Sequence, residues 1–237
     1  MYSNFSEPYR SPRTLSLLAI GFLAASLVID LLFVIVGGAQ LLFPFEIPLG
    51  ESGDSMPIWL LTIGLLEILQ ILVTISCVVF FLLWLYRCYK NLPALKAGRT
   101  EYTPGWAVGW WFVPFANLVK PFGAVRDLWN ESDPDFDPEM NFMSLSVGTP
   151  TLLYWWWAFW LLGNFANNIS SRIGNADNTA ELQSFSIALI IASLFGVVAA
   201  ALAILVVKNI TRRQEARFTG IASMESQFSP PPPPQFD

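Results

Sequence analysis

The sequence predicts an all-α membrane protein with four transmembrane helices and a Trp-rich interfacial or re-entrant element between helices two and three. Three observations predict it. Charged residues make up 13% of the chain against 54% hydrophobic, with mean hydropathy +0.50, whereas a soluble domain carries about 25% charged residues. The apolar residues gather into four long blocks instead of alternating with polar ones. The basic residues are sorted by position along the chain.

The blocks are residues 15–43, 58–86, 142–163 and 182–207. Each is long enough for a helix crossing a hydrocarbon core of about 30 Å, which takes about 20 apolar residues. The first block contains one charge, Asp30, and the second contains one, Glu67. The last two contain none. The first block far exceeds the apolar core of a cleavable leader and is expected to be a retained span.

Lys and Arg set the orientation. Arg10 and Arg13 precede the first block, and six basic residues lie in 87–141. Four more, Lys208, Arg212, Arg213 and Arg217, follow the last block. Four spans with both termini inside place 12 of the 13 basic residues on the cytoplasmic side. The expected organisation is a cytoplasmic segment 1–14, a transmembrane domain 15–207 and a Pro-rich cytoplasmic tail 208–237.

The stretch "YTPGWAVGWWFVPFANLVKPF" (102–122) interrupts this plan. A span at 106–119 would flip everything after it and cut the inside count to 7 of 13. Its 14 apolar residues also fall in the range read as interfacial or re-entrant. Trp106, Trp110 and Trp111 recur at helical spacing, and tryptophan favours the headgroup level. Pro121 suits the first turn of a helix, along which Phe122, Val125, Leu128 and Trp129 form one apolar face. The element over about 102–130 therefore reads as interfacial, anchored by Trp106, Trp110, Trp111 and Trp129. Whether it lies on the surface or dips into the bilayer stays open. Both basic residues and aromatic rings there suit anionic lipid headgroups.

The run from "FLLWLYRCYKNLPAL" (81–95) through "YTPGWAVGWWFVPFANLVKPFGAVRDLWNESDP" (102–134) to "YWWWAFWLLGNF" (154–165) resembles a bacterial multi-pass membrane family, domain of unknown function 4328. The resemblance implies a bacterial inner-membrane protein and is expected to extend from the first span to the fourth. It implies no activity, and no catalytic residue carries over.

Asp30 and Glu67 are the sharpest chemical features, since ionisable groups within spans are functional-site hypotheses by default. Asp30 lies about 22 Å along its helix from Leu15, and Glu67 about 13 Å from Ile58. Both then fall in the outer half of the core, at depths that permit contact. Gln70 extends Glu67 into a polar stripe with Thr74 and Cys77. Two readings stand: neutral acids that tie helices together, or a proton- or cation-handling site formed by Asp30, Glu67 and Gln70.

Other patterns carry less. The chain has no histidine, which removes triads and His-ligated metal sites. Cys77 and Cys88 sit on one helix about 16 Å apart and cannot pair. The acidic run "ESDPDFDPE" (131–139) fails as an EF-hand, because Pro138 and Ser144 occupy the glycine and glutamate positions. "GESG" (50–53) has no base to activate its serine. "NIS" (168–170) is a glycosylation sequon only in a eukaryotic host. Ala192, Gly196 and Ala200 form a small-residue face for packing within the chain or in a homo-oligomer. The tail "SPPPPPQFD" (229–237) is suited to an aromatic groove on a protein partner or to a disordered end. No nucleic-acid signature, metal site or cofactor motif is present. The expectation is a non-enzymatic scaffold, sensor or recruitment protein of the bacterial inner membrane. The alternative is a small proton or cation transporter, or a channel component, using Asp30 and Glu67.

Overall fold

The computed structural model describes residues 8–42, 58–98, 100–134, 149–173 and 179–228. Among them every regular element is helical: α1 (Arg13–Leu42), α2 (Ile58–Asn91), α3 (Pro104–Gly109), α4 (Lys120–Glu131), α5 (Thr151–Ile173) and α6 (Thr179–Phe228), with one 3-10 turn at Ala116–Leu118. The motif at 50–53, the acidic positions 135–139 and the tail 229–237 lie outside the described residues.

Among the described residues three helices, not the expected four, are long and apolar enough to cross a membrane: Arg13–Leu42, Gly64–Asn91 and Gln183–Gln227. The third expected block, 142–163, meets the structure only in part. Its first residues are outside the described set, and α5 starts at Thr151 and runs on to Ile173. Four tryptophans, then Asn164, Asn167 and Asn168, dilute the aliphatic content of α5. Trp favours the interface over the hydrocarbon centre, so the described part of this block is less aliphatic than the other three helices.

The chain divides into two compact units. One takes Leu15–Leu83 and Pro150–Val207, and so holds α1, most of α2, α5 and the first part of α6. Ile29, Phe33 and Val73 form a buried cluster there. Phe22 on α1 stacks on Phe80 of α2 with ring centroids 5.2 Å apart. Small residues let backbones approach: a Cβ on Gly37 would stand 2.9 Å from Ile190 Cγ1. Ala192 and Ala200 are buried with Gly196 on the same face of α6, so this small-residue stripe is used within the chain.

The other unit takes the described residues of Met1–Thr14, Trp84–Thr149 and Lys208–Asp237. Its sequence ranges hold 12 of the 13 Lys and Arg residues, 11 of them among the described residues. Here the expected tail at 208–237 is corrected, because α6 continues unbroken to Phe228. Val206, Val207 and Ile210 are fully buried and lead at helical spacing to Gln214 and Arg217, so this part of α6 is core and not appendage.

A second correction concerns α4. Its apolar face was expected to lie in the bilayer interface, yet Ala124, Val125 and Leu128 are completely buried and Trp129 nearly so. Protein covers that face. Tyr89 on α2 donates a hydrogen bond to the carbonyl of Ala124 at 2.7 Å. Arg213 on α6 lies over the Trp129 ring, 4.7 Å from its centroid.

Candidate functional site

The densest arrangement of functional side chains lies in the basic unit. α6 brings Gln214 to a point where three other segments converge. Gln214 Oε1 accepts from Asn91 Nδ2 at 3.2 Å. Its Nε2 donates to the Cys88 carbonyl at 3.0 Å and to Ser132 Oγ at 3.2 Å. Asn91 in turn donates to the Arg10 carbonyl at 2.9 Å and accepts from the Arg10 amide at 3.2 Å. Two buried amides, Gln214 and Asn91, thus link the segment before α1, the end of α2, the turn after α4 and α6. Gln214 and Ser132 are fully buried, which is tolerable only because their polar atoms are matched.

One helical turn further on, Arg217 is 5% exposed. Its Nη1 donates to the carbonyls of Glu131 (2.8 Å) and Asp133 (3.1 Å), and its Nη2 to that of Lys96 (3.0 Å). The planar fork of guanidinium suits three carbonyls held in fixed directions. Lys96 has a left-handed backbone, φ 50°, which a side chain resists and which the Arg217 bond helps hold. Glu131, also buried, accepts from the Gly98 amide at 2.7 Å. Trp84 Nε1 donates to Thr211 at 3.0 Å, and Arg213 pairs with Asp133.

Beside this interlock sits a group of acids and phenols. Tyr89 hydroxyl meets Asp127 at 3.2 Å. Burial pushes the Asp127 carboxyl up to about 6, opposed by the Tyr89 hydrogen bond and reinforced by Glu131 and Glu101. Tyr102 is packed over Gly123 so closely that a Cβ there would stand 2.6 Å from its hydroxyl. Lys120 crosses the faces of Tyr102 and Trp110 at 5.7 and 5.8 Å.

The tryptophans of the sequence argument part company. Trp106 and Trp110 stack at 4.7 Å, and Trp106 is 54% exposed. Trp111 is half-buried. Trp129 is buried under Arg213 and is not available to a lipid surface. The exposed apolar residues are instead Phe112, Phe115, Leu118 and Val119. Thr103 caps α3 by accepting from the Trp106 amide, and Pro104 occupies its first turn, so "TPGW" is a helix start. After α3 the chain turns tightly, with Phe115 at φ 62°. A bulky residue in that region costs of order 1–3 kcal/mol.

In the membrane-type unit, α1 and α2 pack together but Asp30 and Glu67 do not meet. Gln70 Nε2 makes long hydrogen bonds to Ser26 Oγ (3.4 Å) and Asp30 Oδ1 (3.5 Å). Glu67, about 60° around the helix from Gln70, is exposed. Asp30 fills the space left by Gly196: a Cβ there would lie 2.8 Å from Asp30 Oδ2. Gln70 Oε1 is buried without a hydrogen-bond partner among the described residues.

Sequence reasoning singled out Asp30 and Gln70 but missed Asn91, Gln214, Arg217 and Asp127. A signal was present for two of them. Val207, Ile210, Gln214 and Arg217 follow helical spacing, so the polar pair continues an apolar stripe inward.

No curated protein and no solved structure matches the chain. The family match begins within α2, so α1 lies outside it, contrary to the extent expected from the first span onward. It contains α3, α4 and α5 whole and ends just after Thr211. By this match over residues 60–212, the chain belongs to the family described as Domain of unknown function (DUF4328).

Proposed function

We propose that the chain is a four-span protein of the bacterial cytoplasmic membrane, with both termini inside, acting as a non-enzymatic scaffold, sensor or recruitment protein. The observation that carries this is the Gln214 interlock. It ties the segment before α1, the end of α2 and the later part of α6 into one unit. If α1, α2 and α6 each cross, these three segments share a side only when the chain also crosses between α2 and α6. α5 is the helix available. It packs against other spans: Phe159 lies 6.0 Å from Phe195 of α6, and Trp156 lies 6.2 Å from Phe81 of α2. The concentration of basic residues in that same unit supports the cytoplasmic assignment.

A folded unit locked by buried polar groups, followed in sequence by the proline-rich 229–237, suits protein recruitment better than chemistry. Two experiments test the reading. Arg172→Cys should react with an impermeant thiol reagent from the side opposite Lys96→Cys. Reaction of both from one side sinks the four-span arrangement. Co-purification from native membranes should recover a stoichiometric protein partner that is lost when 229–237 is deleted. The cut must spare 208–217, where Ile210, Gln214 and Arg217 are buried. Identical recoveries with and without 229–237 remove the recruitment role for that segment.

A second reading rests on the unpartnered Gln70 Oε1 beside Asp30. An uncharged acceptor next to an intramembrane acid is the minimal arrangement for holding a proton or a small cation. Liposomes loaded with a pH-sensitive dye separate the two readings. Proton flux with wild type that is abolished by Asp30→Asn favours transport, and equal flux in both excludes it.

A further inference from the structure

We infer that the tip Phe112–Val119 inserts into the headgroup boundary of an anionic bilayer, with Lys120 at its polar edge; this rests on the membrane reading above. The tip is exceptional for its unit. Elsewhere in that unit the large exposed apolar side chains, Tyr86, Trp106, Phe218 and Met224, are scattered singly, while Val125 and Leu128 are fully covered. Within eight residues here, Phe112 is 68% exposed, Phe115 86%, Leu118 49% and Val119 68%. A contiguous exposed patch of this kind marks an interaction surface.

Its chemistry suits lipid. The backbone turns inward on itself: Asn117 donates to the Val113 carbonyl (3.0 Å), Leu118 to Phe115 (3.2 Å) and Val119 to Ala116 (3.1 Å). Few amides are left to lose on entering an apolar phase. The same closure offers no extended edge for a peptide to pair with. Phe115 holds a left-handed backbone, φ 62°, with its ring pointing away from the protein. At the base, the Trp106–Trp110 pair supplies rings that favour the headgroup level. Lys120 lies over Trp110, pairs with the exposed Glu101 at 3.7 Å and stays partly exposed itself, so its ammonium can exchange that surface carboxylate for an anionic headgroup. With α3 only six residues long and the 3-10 turn only three, the element is too short to span. Insertion is shallow, about 5–10 Å, as for interfacial elements.

The test uses the full chain with Cys77→Ser and Cys88→Ala, reconstituted in vesicles of phosphatidylcholine and phosphatidylglycerol. Spin labels are placed at Phe115→Cys, at Leu72→Cys on the exposed face of α2 as the lipid reference, and at Met224→Cys as the aqueous reference. Collision with oxygen and with a water-soluble nickel chelate gives depth. The expected result is a Phe115 label shielded from nickel at a depth of about 5–10 Å, shallower in vesicles without phosphatidylglycerol and in the Lys120→Gln variant. A Phe115 label as open to nickel as Met224, with Leu72 in lipid, overturns the insertion and leaves the membrane reading standing. A Phe115 label immobile and closed to both reagents identifies a protein contact and likewise overturns it. A Leu72 label open to nickel defeats both.

Discussion

Asn91 on α2 donates a hydrogen bond to Gln214 on α6, and both side chains are buried. The residues are 123 positions apart. This bond is the centre of a buried polar arrangement that ties the segment before α1, the end of α2 and α6 together.

Replacing Gln214 with Ala strips a partner from the Cys88 carbonyl and the Ser132 hydroxyl and leaves Asn91 Nδ2 with the Arg10 carbonyl alone. A buried polar group left unpaired costs about 1–3 kcal/mol, so a loss of about 2–4 kcal/mol is expected. Thermal unfolding in detergent measures it. Limited proteolysis should show cleavage near 208–228 in the variant and protection in the wild type. Equal protection means the interlock is not structural.

Arg217→Lys keeps the charge but not the fork. A single ammonium cannot serve the Glu131, Asp133 and Lys96 carbonyls, which the guanidinium reaches with two separate nitrogens. The expected loss is about 1–3 kcal/mol, and the left-handed turn at Lys96 should loosen with it. Hydrogen exchange at Ala97 and Gly98 reads that directly.

Gly196→Ala drives a methyl into Asp30, whose Oδ2 would be 2.8 Å away and Cγ 3.1 Å. The carboxyl end can swing aside, so the cost should sit at the lower end of about 1–3 kcal/mol for overpacking. Asp30→Ser removes the clash. The double variant should therefore be more stable than the two single effects predict, a coupling measurable by a double-mutant cycle. Strict additivity would mean the two residues are not in contact.

Asp127 should make stability depend on pH in a defined direction. Its folded carboxyl is raised to about 6 by burial, with Glu131 and Glu101 adding and Tyr89 opposing, while an unfolded Asp titrates near 3.9. The folded state therefore binds the proton more tightly. The contribution is fully present below about pH 4 and is lost as pH rises through about 6. Thermal unfolding of wild type minus that of Asp127→Asn, followed from pH 4 to 7, should fall across this window. A flat difference refutes the assignment.

Much of the architecture was legible because it follows from short-range rules. Hydrocarbon thickness demands long apolar runs, and Asp30, Glu67 and the block edges could be read from spacing alone. Charge sorting likewise anticipated the unit that gathers 12 of 13 basic residues. α5 was harder, since its Trp and Asn content sits between an interfacial and a spanning composition. Its role is argued from contacts with Phe81 and Phe195, not from its own hydropathy.

By itself the sequence determined that this is a helical chain built for a bilayer, that Pro121 opens a helix, and that Asp30 lacks a basic residue within its own block. These are consequences of periodicity, composition and local capping. Tertiary structure alone decided which faces are covered. It turned the apolar side of α4 and Trp129 inward, left Phe112 and Phe115 outside, and drew 208–217 into a core through Gln214 and Arg217. It also set Gln70, rather than Glu67, beside Asp30. The physical reason is common to all four. An amphipathic face or a polar side chain has the same local preference whether lipid, water or protein covers it, and only the packing of distant segments selects among them.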